Sequence, residues 1–536
     1  MKEENSAARG MIALSFAGIM SKVLSIFYSP FLIAILGDSG FGIYSKTLDV
    51  FLFIYAIACT GTQPAVAKVV TELIALDNPK GANRALKLSR NLYMLLGGIL
   101  GSIMIVFAFP IAGLTGNTDI AYGLMFLGPC VFVTAILSVY RGYMQGRNNV
   151  TSIAVSQIIE QLFNVIISLI GAFVLMKVSL PLGSAGGQIG TSVGALIGCL
   201  YLVYCYEKKG YSNDAHRYGF SNKKISDKKI IRKVVMYSIP ITMSAALQNL
   251  GGLIDMGNVS RGLMEAGFTQ LEGDILYGLY SKYKTLYGVP LTIITAIATT
   301  MLPSITRSFV LNDRREVKKK IGSVFKLIFI IAIPSAVGLA VLSPEIYITL
   351  YGNTNGTTIM MVGSFILIIM AVTQIQSMIL QSINKLYFVL KTFTVGIIFK
   401  IVLNYIFVRI TDINIYGVLI GNCFWHLIPA ILNNIKISKE MKMKISIKRL
   451  TIVPIIASTA MGIALMLCKF ATNPILNMLG GGRISGAIVT IPLVVVGVFV
   501  YAYILIALGG ITKKDLKMIS PKIIRIIPNF MKKYLV

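Results

Sequence analysis

The sequence predicts an all-α, polytopic membrane protein with about fourteen transmembrane helices, arranged as two pseudo-symmetric six-helix bundles followed by two C-terminal helices. Three observations predict it: a composition too apolar for water, basic residues that alternate from loop to loop, and an internal repeat six helices long. Of 536 residues, 55% are hydrophobic and 13% charged, against about a quarter charged in soluble domains. Mean hydropathy is +0.77. A soluble chain of this composition would have nowhere to bury its apolar surface, so lipid must cover it.

At roughly 20 apolar residues per crossing, spans are expected near 11–36, 43–66, 91–110, 121–140, 152–176, 185–205, 234–257, 277–303, 322–343, 357–383, 392–408, 415–435, 450–471 and 484–508. The first apolar segment, Met11 to Leu36, is too long for a signal-peptide core and has no convincing cleavage site, so it is kept as the first helix.

The loops between these spans orient them. With the amino terminus inside, cytoplasmic segments hold 39 of the 50 Lys and Arg residues, including nine in 208–233, six in 307–320, six in 436–449 and seven from Lys513 onward. External loops hold four, Lys177, Arg261, Arg409 and Arg483, together with Asp38, Asp119, Glu265, Glu272, Asp274, Glu345 and Asp412. This asymmetry places both termini in the cytoplasm. The net charge of +29 thus reads as loops facing anionic headgroups, not as a nucleic-acid surface. The tail mixes Lys and Arg with Ile, Leu and Phe, a pattern that suits the inner membrane surface.

The repeat is visible at an offset of 236. Phe41-Gly42-Ile43-Tyr44-Ser45-Lys46 matches Tyr277-Gly278-Leu279-Tyr280-Ser281-Lys282, and Gln145-x-x-Asn148 matches Gln381-x-x-Asn384. Pro64-x-x-x-Lys68 and Pro303-x-x-x-Arg307 follow at 239. Six spans per repeat is an even number, so the halves share one orientation and form parallel repeats around a central cavity. The expected organisation is a bundle at 1–210, a basic cytoplasmic linker at 211–233, a second bundle at 234–440, two nearly uncharged spans at 441–508 and a basic amphipathic tail at 509–536.

Ionisable groups inside a bilayer are costly and usually face a bundle interior or a wet cavity. Candidate substrate-binding cations are Lys22, Lys46, Lys282, Lys284, Arg141 and Lys400. Lys46 and Lys282 are repeat mates. A polar network is expected beside them. Asp49 lies one turn from Lys46; Gln157, Glu160, Gln161 and Asn164 form a stripe on span five; Asp255 ends span seven. Gln374 and Gln381 mark span ten, and Asn404 lies one turn from Lys400. For Lys46, Lys282 and Arg141 the competing reading is snorkelling to headgroups, and for Glu160 a helix-locking pair with a buried cation. Excess positive charge in a cavity suits an anionic substrate such as a diphosphate.

Other chemistry has no support. The six cysteines include no C-x-x-C pair and only two histidines occur, so neither a metal site nor a disulfide framework is indicated. His426 beside Trp425 reads as a packing or interfacial residue, not as a metal ligand. There is no G-x-x-x-x-G-K-[ST] loop for ATP, and no external loop gathers His, Asp and Ser, so neither an enzyme nor a cofactor is expected.

Several motifs carry a resemblance. Ser21-Lys22-Val23-Leu24, Leu36-Gly37 leading to Phe41-Gly42-x-Tyr44, Gly61-x-x-Pro64-x-x-x-Lys68, and Arg141-Gly142-Tyr143-Met144-Gln145-Gly146 followed by Ser156-Gln157-x-x-Glu160-Gln161 stand in order, and Tyr277-Gly278-x-Tyr280 with Pro290 through Pro303 follows in the second repeat. In this the chain resembles the polysaccharide-transport branch of the multidrug/oligosaccharidyl-lipid/polysaccharide (MOP) exporter superfamily. Within it, the chain is similar to the lipid II flippase (MurJ) group of Gram-positive type and the stage V sporulation protein B group.

The resemblance implies flipping of an undecaprenyl-diphosphate-linked cell-wall precursor from the inner to the outer leaflet of a bacterial plasma membrane. Lys22 sits where the family's first-helix motif places a basic residue, whereas Tyr28 stands where a second basic residue is often found. The last two helices would form a groove for the lipid tail. Implied partners are the lipid-linked anionic substrate and membrane lipids, with cell-wall synthesis enzymes as further candidates and the chain acting as a monomer. The alternatives are a cation-coupled multidrug exporter of the same superfamily, or a flippase for another surface polysaccharide unit.

Overall fold

The computed structural model describes residues 2–211, 226–442, 447–478, 480 and 482–512. The expected tail from Lys513 and most of the basic linker, 212–225, lie outside the described residues.

Helix α1 (Lys2–Tyr55) contains both of the first two expected spans. A straight helix of 54 residues would run about 80 Å, more than twice the hydrocarbon thickness. It does not run straight. Gly37 has φ +68° and ψ −179°, a backbone state glycine reaches without a Cβ penalty, and the helix breaks there. A π-turn at Ala56–Thr60 then leads into α2 (Thr62–Ala75), so the second span extends past its expected end.

The chain continues through α3 (Pro79–Val106), α4 (Ala108–Thr115), α5 (Ile120–Gly146), α6 (Val150–Met176), α7 (Leu180–Lys208), α8 (Asp227–Glu265) and α9 (Gln270–Val310). It goes on through α10 (Arg314–Val341), α11 (Ser343–Tyr351), α12 (Thr357–Gly363), α13 (Ile366–Ser382), α14 (Leu386–Phe407), α15 (Tyr416–Met441), α16 (Ile447–Met478) and α17 (Arg483–Ala507). Helix starts follow local chemistry. Asn78 caps α3 by accepting from the Gly81 amide at 2.7 Å, with Pro79 in the first turn. Ser179 and Asp313 cap α7 and α10 in the same way.

Twelve of these segments are long and apolar enough to cross a membrane, with Phe27–Ala75 taken as one, and α12 with α13 makes a thirteenth. Among the described residues that makes thirteen against the fourteen expected, and the first two expected spans both fall in α1. The tenth is broken: α12 and α13 meet at a 49° bend, where the Tyr283 hydroxyl donates to the Gly363 carbonyl at 2.8 Å.

The chain forms two compact units, one of residues up to Ser281 with Asn404–Ile415, the other of Lys282–Leu403 with the residues from Tyr416 on. In the first, α6 packs on α7, α3 and α7 flank α5, and α8 lies along α1 and α2. In the second, α16 and α17 pack on each other and against α10 and α11. Two buried clusters join them, Ile330 with Ala457 and Leu505, and Leu342 with Met461, Leu465, Val489 and Leu493. The repeat recurs in backbone detail. Asn148 and Asn384 have φ +56° and +60°, and their amides donate to the carbonyls of Gln145 and Gln381 at 3.0 and 3.1 Å.

Candidate functional site

Lys22 lies on α1, and its side chain is outside the described residues. The other candidates can be placed, and in the first unit Lys46, Asp49, Asp255 and Asn404 gather around the start of α9. Lys46 is 1% exposed. Its ammonium donates to Asp274 Oδ1 at 2.7 Å and lies 5.5 Å from the centroid of the Tyr277 ring. Asn117 Nδ2 donates to the same carboxylate oxygen at 2.6 Å. Asp274 reads from sequence as an external-loop acid. The structure instead places it just inside α9 and buries it, because α9 begins at Gln270.

One turn beyond Lys46, Asp49 accepts the Tyr277 hydroxyl. Asp255, on α8, accepts the Tyr280 hydroxyl at 3.0 Å and the Asn404 amide at 2.8 Å. Thus the first turns of α9 carry a carboxylate for α1 and two phenols for acids on α1 and α8. Each buried acid has a donor, as burial requires.

Two glycines allow this approach. A Cβ on Gly42 would lie 1.9 Å from the Asp274 backbone oxygen, and one on Gly278 would lie 2.0 Å from that of Asp38. Asp38 and Asp274 are 236 residues apart, as are Gly42 and Gly278. Corresponding atoms of the two repeats therefore meet reciprocally, as the halves of a twofold interface do.

The polar stripe of α6 meets α7. Arg141 forms an ion pair with Glu160 Oε2 and reaches Ser156 Oγ at 3.3 Å. Asn164 Oδ1 accepts from Ser168 Oγ at 3.0 Å and from Thr191 Oγ1 at 3.4 Å. Gly190 and Gly194 of α7 press on the backbone of Asn164 and Glu160, where a Cβ would come within 2.2 and 2.4 Å of their carbonyl oxygens. Gln157 and Gln161 are half-buried, and Gln157 Oε1 has no partner among the described residues.

In the second unit, Lys282 and Lys400 are fully buried. The Lys282 ammonium lies 3.5 Å from Asn353 Oδ1 and 5.0 Å from the Tyr351 ring centroid. Lys400 donates to Asn422 Oδ1 at 2.6 Å and sits 4.1 Å from the Trp425 ring centroid. Lys284, Gln374 and Gln381 are half-buried. Sequence alone marks Tyr277 and Tyr280 only as repeat residues and Asp274 only as an outer-loop acid, and it does not mark Asn117 or Asn422. It also passes over Gln376, which is 1% exposed with no partner for its amide among the described residues. A signal for Asp274 was present: it is the repeat mate of Asp38.

Membrane-length apolar helices with paired charges buried inside them define a multi-pass membrane protein, and its relatives place it among the transporters of the MOP exporter superfamily, in the polysaccharide-transport branch. The chain belongs to the polysaccharide biosynthesis protein family, whose model matches residues 7–309. It is 25% identical to the lipid II flippase MurJ of Bacillus subtilis over 526 residues, covering 94% of this chain and 96% of the relative. It is 23% identical to stage V sporulation protein B of the same organism over 494 residues, covering 91% and 95%. Among solved structures, the fold is similar to that of lipid II flippase MurJ in an inward closed conformation, with a TM-score of 0.68 at 17% identity over 92% of this chain and 98% of that one. It is also similar to an inward-facing multidrug resistance MATE family transporter, with a TM-score of 0.63 at 14% identity over 80% and 96%.

Proposed function

We propose that the protein flips an undecaprenyl-diphosphate-linked oligosaccharide, with the peptidoglycan precursor lipid II first among cargoes, from the inner to the outer leaflet by alternating access. The observation that carries the reading is the burial of Lys46, Lys282 and Lys400, at 1, 0 and 0% exposure, inside the spans of a chain from a polysaccharide biosynthesis family. Ammonium groups in a bilayer are kept where they serve pairing or transport, and a diphosphate is the anion that several such cations match. The relative named lipid II flippase, aligned along nearly the whole chain, supports the cargo.

In this reading Lys22, Lys46, Lys282, Lys284, Arg141 and Lys400 serve the diphosphate, and the neighbouring acids and amides tune them. The bundles are 1–210 and 234–440, spans at 441–508 take the cargo's lipid tail, and both termini face the cytoplasm beside anionic lipid.

The test is lipid II exposure at the surface of a bacterium depleted of its own flippase and expressing this chain. Growth and exposure should return, and Lys282→Ala at equal expression should lower exposure roughly 30-fold or more, the loss expected when one partner of a buried charge contact is removed. Absence of rescue despite normal membrane insertion would move the cargo to another lipid-linked polysaccharide. The fold shared with MATE transporters favours a second reading, a cation-coupled drug exporter. Raised drug tolerance without surface exposure of lipid II would select it.

A further inference from the structure

We propose that Lys46 and Asp274 form an exchangeable latch, in which the Asp274 carboxylate stands in for the cargo's diphosphate and the cargo parts α1 from α9 by taking Lys46 from it. The proposal rests on the reading of the cargo as a lipid diphosphate and deepens the role of Lys46 within it.

The geometry leaves Lys46 committed to Asp274 only while the helices touch. The ion pair is 2.7 Å long with both side chains at most 3% exposed. It sits one turn from the place where the Gly42 and Gly278 backbones abut the carbonyls of Asp274 and Asp38. Since those backbones are already in contact, any parting of α1 from α9 here lengthens the pair at once. Asp274 is additionally held by Asn117, whose own Oδ1 accepts from the Asp119 amide at 3.0 Å and from Gln270 at 3.3 Å. The carboxylate therefore stays where it is when the lysine leaves.

A buried pair broken with nothing in exchange leaves two uncompensated charges in a dry setting, which is strongly unfavourable. The closed arrangement is thus stable in the absence of cargo. An anion that pairs with Lys46 only after the helices part removes the penalty on the lysine, while Asp274 keeps Asn117 and gains water. A ligand that binds one state alone shifts the population toward that state. A cargo without the diphosphate has nothing to offer Lys46 and leaves the latch shut. The competing role, a static brace between α1 and α9, predicts no response to any anion.

The experiment uses the full chain in nanodiscs carrying Ser45→Cys, adjacent to the pair and 6% exposed, with N-ethylmaleimide labelling of that thiol compared with the parent chain. Asp274→Asn should raise the labelling rate by about five-fold or more, the low end of an ordinary coupling. Farnesyl diphosphate should raise it similarly in the Ser45→Cys chain, and farnesol should not. The exchanged pair, Lys46→Asp with Asp274→Lys, should label slowly again, showing an intact fold, and should ignore the diphosphate because its cation has moved to the other helix.

Equal labelling of Asp274→Asn and its parent, no response to farnesyl diphosphate, or an exchanged pair that responds like the parent would each overturn the latch. If Asp274→Asn does not fold, the diphosphate arm on the Ser45→Cys chain decides alone. Rescue of lipid II exposure without a diphosphate response discards the latch and keeps the cargo. A diphosphate response without rescue does the reverse.

Discussion

Arg141 ends a long apolar helix, a place where an arginine side chain could reach the headgroups. It turns inward instead and pairs with Glu160 on the next helix, at 10% and 26% side-chain exposure. Removing one member of such a pair strands the other. Arg141→Met alone should destabilise the protein by about 3 kcal/mol, whereas Arg141→Met with Glu160→Leu should recover most of that loss. Thermal denaturation in detergent reads the difference, and a double variant no more stable than the single would show that the two residues are not energetically one unit. The buried lysines follow the same rule with different partners. Lys46 meets a carboxylate, and Lys400 meets an amide oxygen and an indole face, so a lysine alone in an apolar stretch did not say which kind of partner it would find.

At the scale of elements, the joint between α6 and α7 shows where side-chain volume is forbidden. Lipid tails supply no hydrophobic drive between helices, so close backbone approach over small residues holds them together. Gly186, Gly190, Gly194 and Gly198 recur every fourth residue along α7 and meet α6 in turn. Gly194→Val should loosen this joint and lower the melting temperature measurably. Gly113→Val, where nothing lies within 4 Å of an added Cβ, should leave it unchanged.

The helices themselves were legible because a run of twenty apolar residues has few other fates in a chain this hydrophobic. The break within the tenth span went unread although it falls at Gly363-Ser364, a Gly/Ser pair of the kind that kinks helices, and there the Tyr283 hydroxyl donates to the Gly363 carbonyl. The stripe from Gln157 to Asn164 was visible as one helix face, but a helix face does not name its neighbour. Only the glycine spacing of α7 could have said that part of it meets a helix. Asp274 misled for a related reason: close to a run of acids in an expected outer loop, it carries no local mark of the lysine waiting 228 residues away.

For the whole molecule, duplication is the organising event, and its trace reaches individual torsions at Asn148 and Asn384. The crossing of Gly42 and Gly278 is where the two copies of one motif touch. A methyl group on either would wedge the same closure, so Gly42→Ala and Gly278→Ala should each impair transport. The double variant should be little worse than either single one, the non-additivity expected of residues in contact. Fully multiplied defects in the lipid II exposure assay would show that the two glycines act separately. In genetic terms the pair should behave as one locus in a single epistasis group. Revertants of a lesion in one copy should then arise opposite it, around Asp274 and Gly278 for Gly42 and around Asp38 and Gly42 for Gly278, two segments of a fused gene still inherited as a single trait.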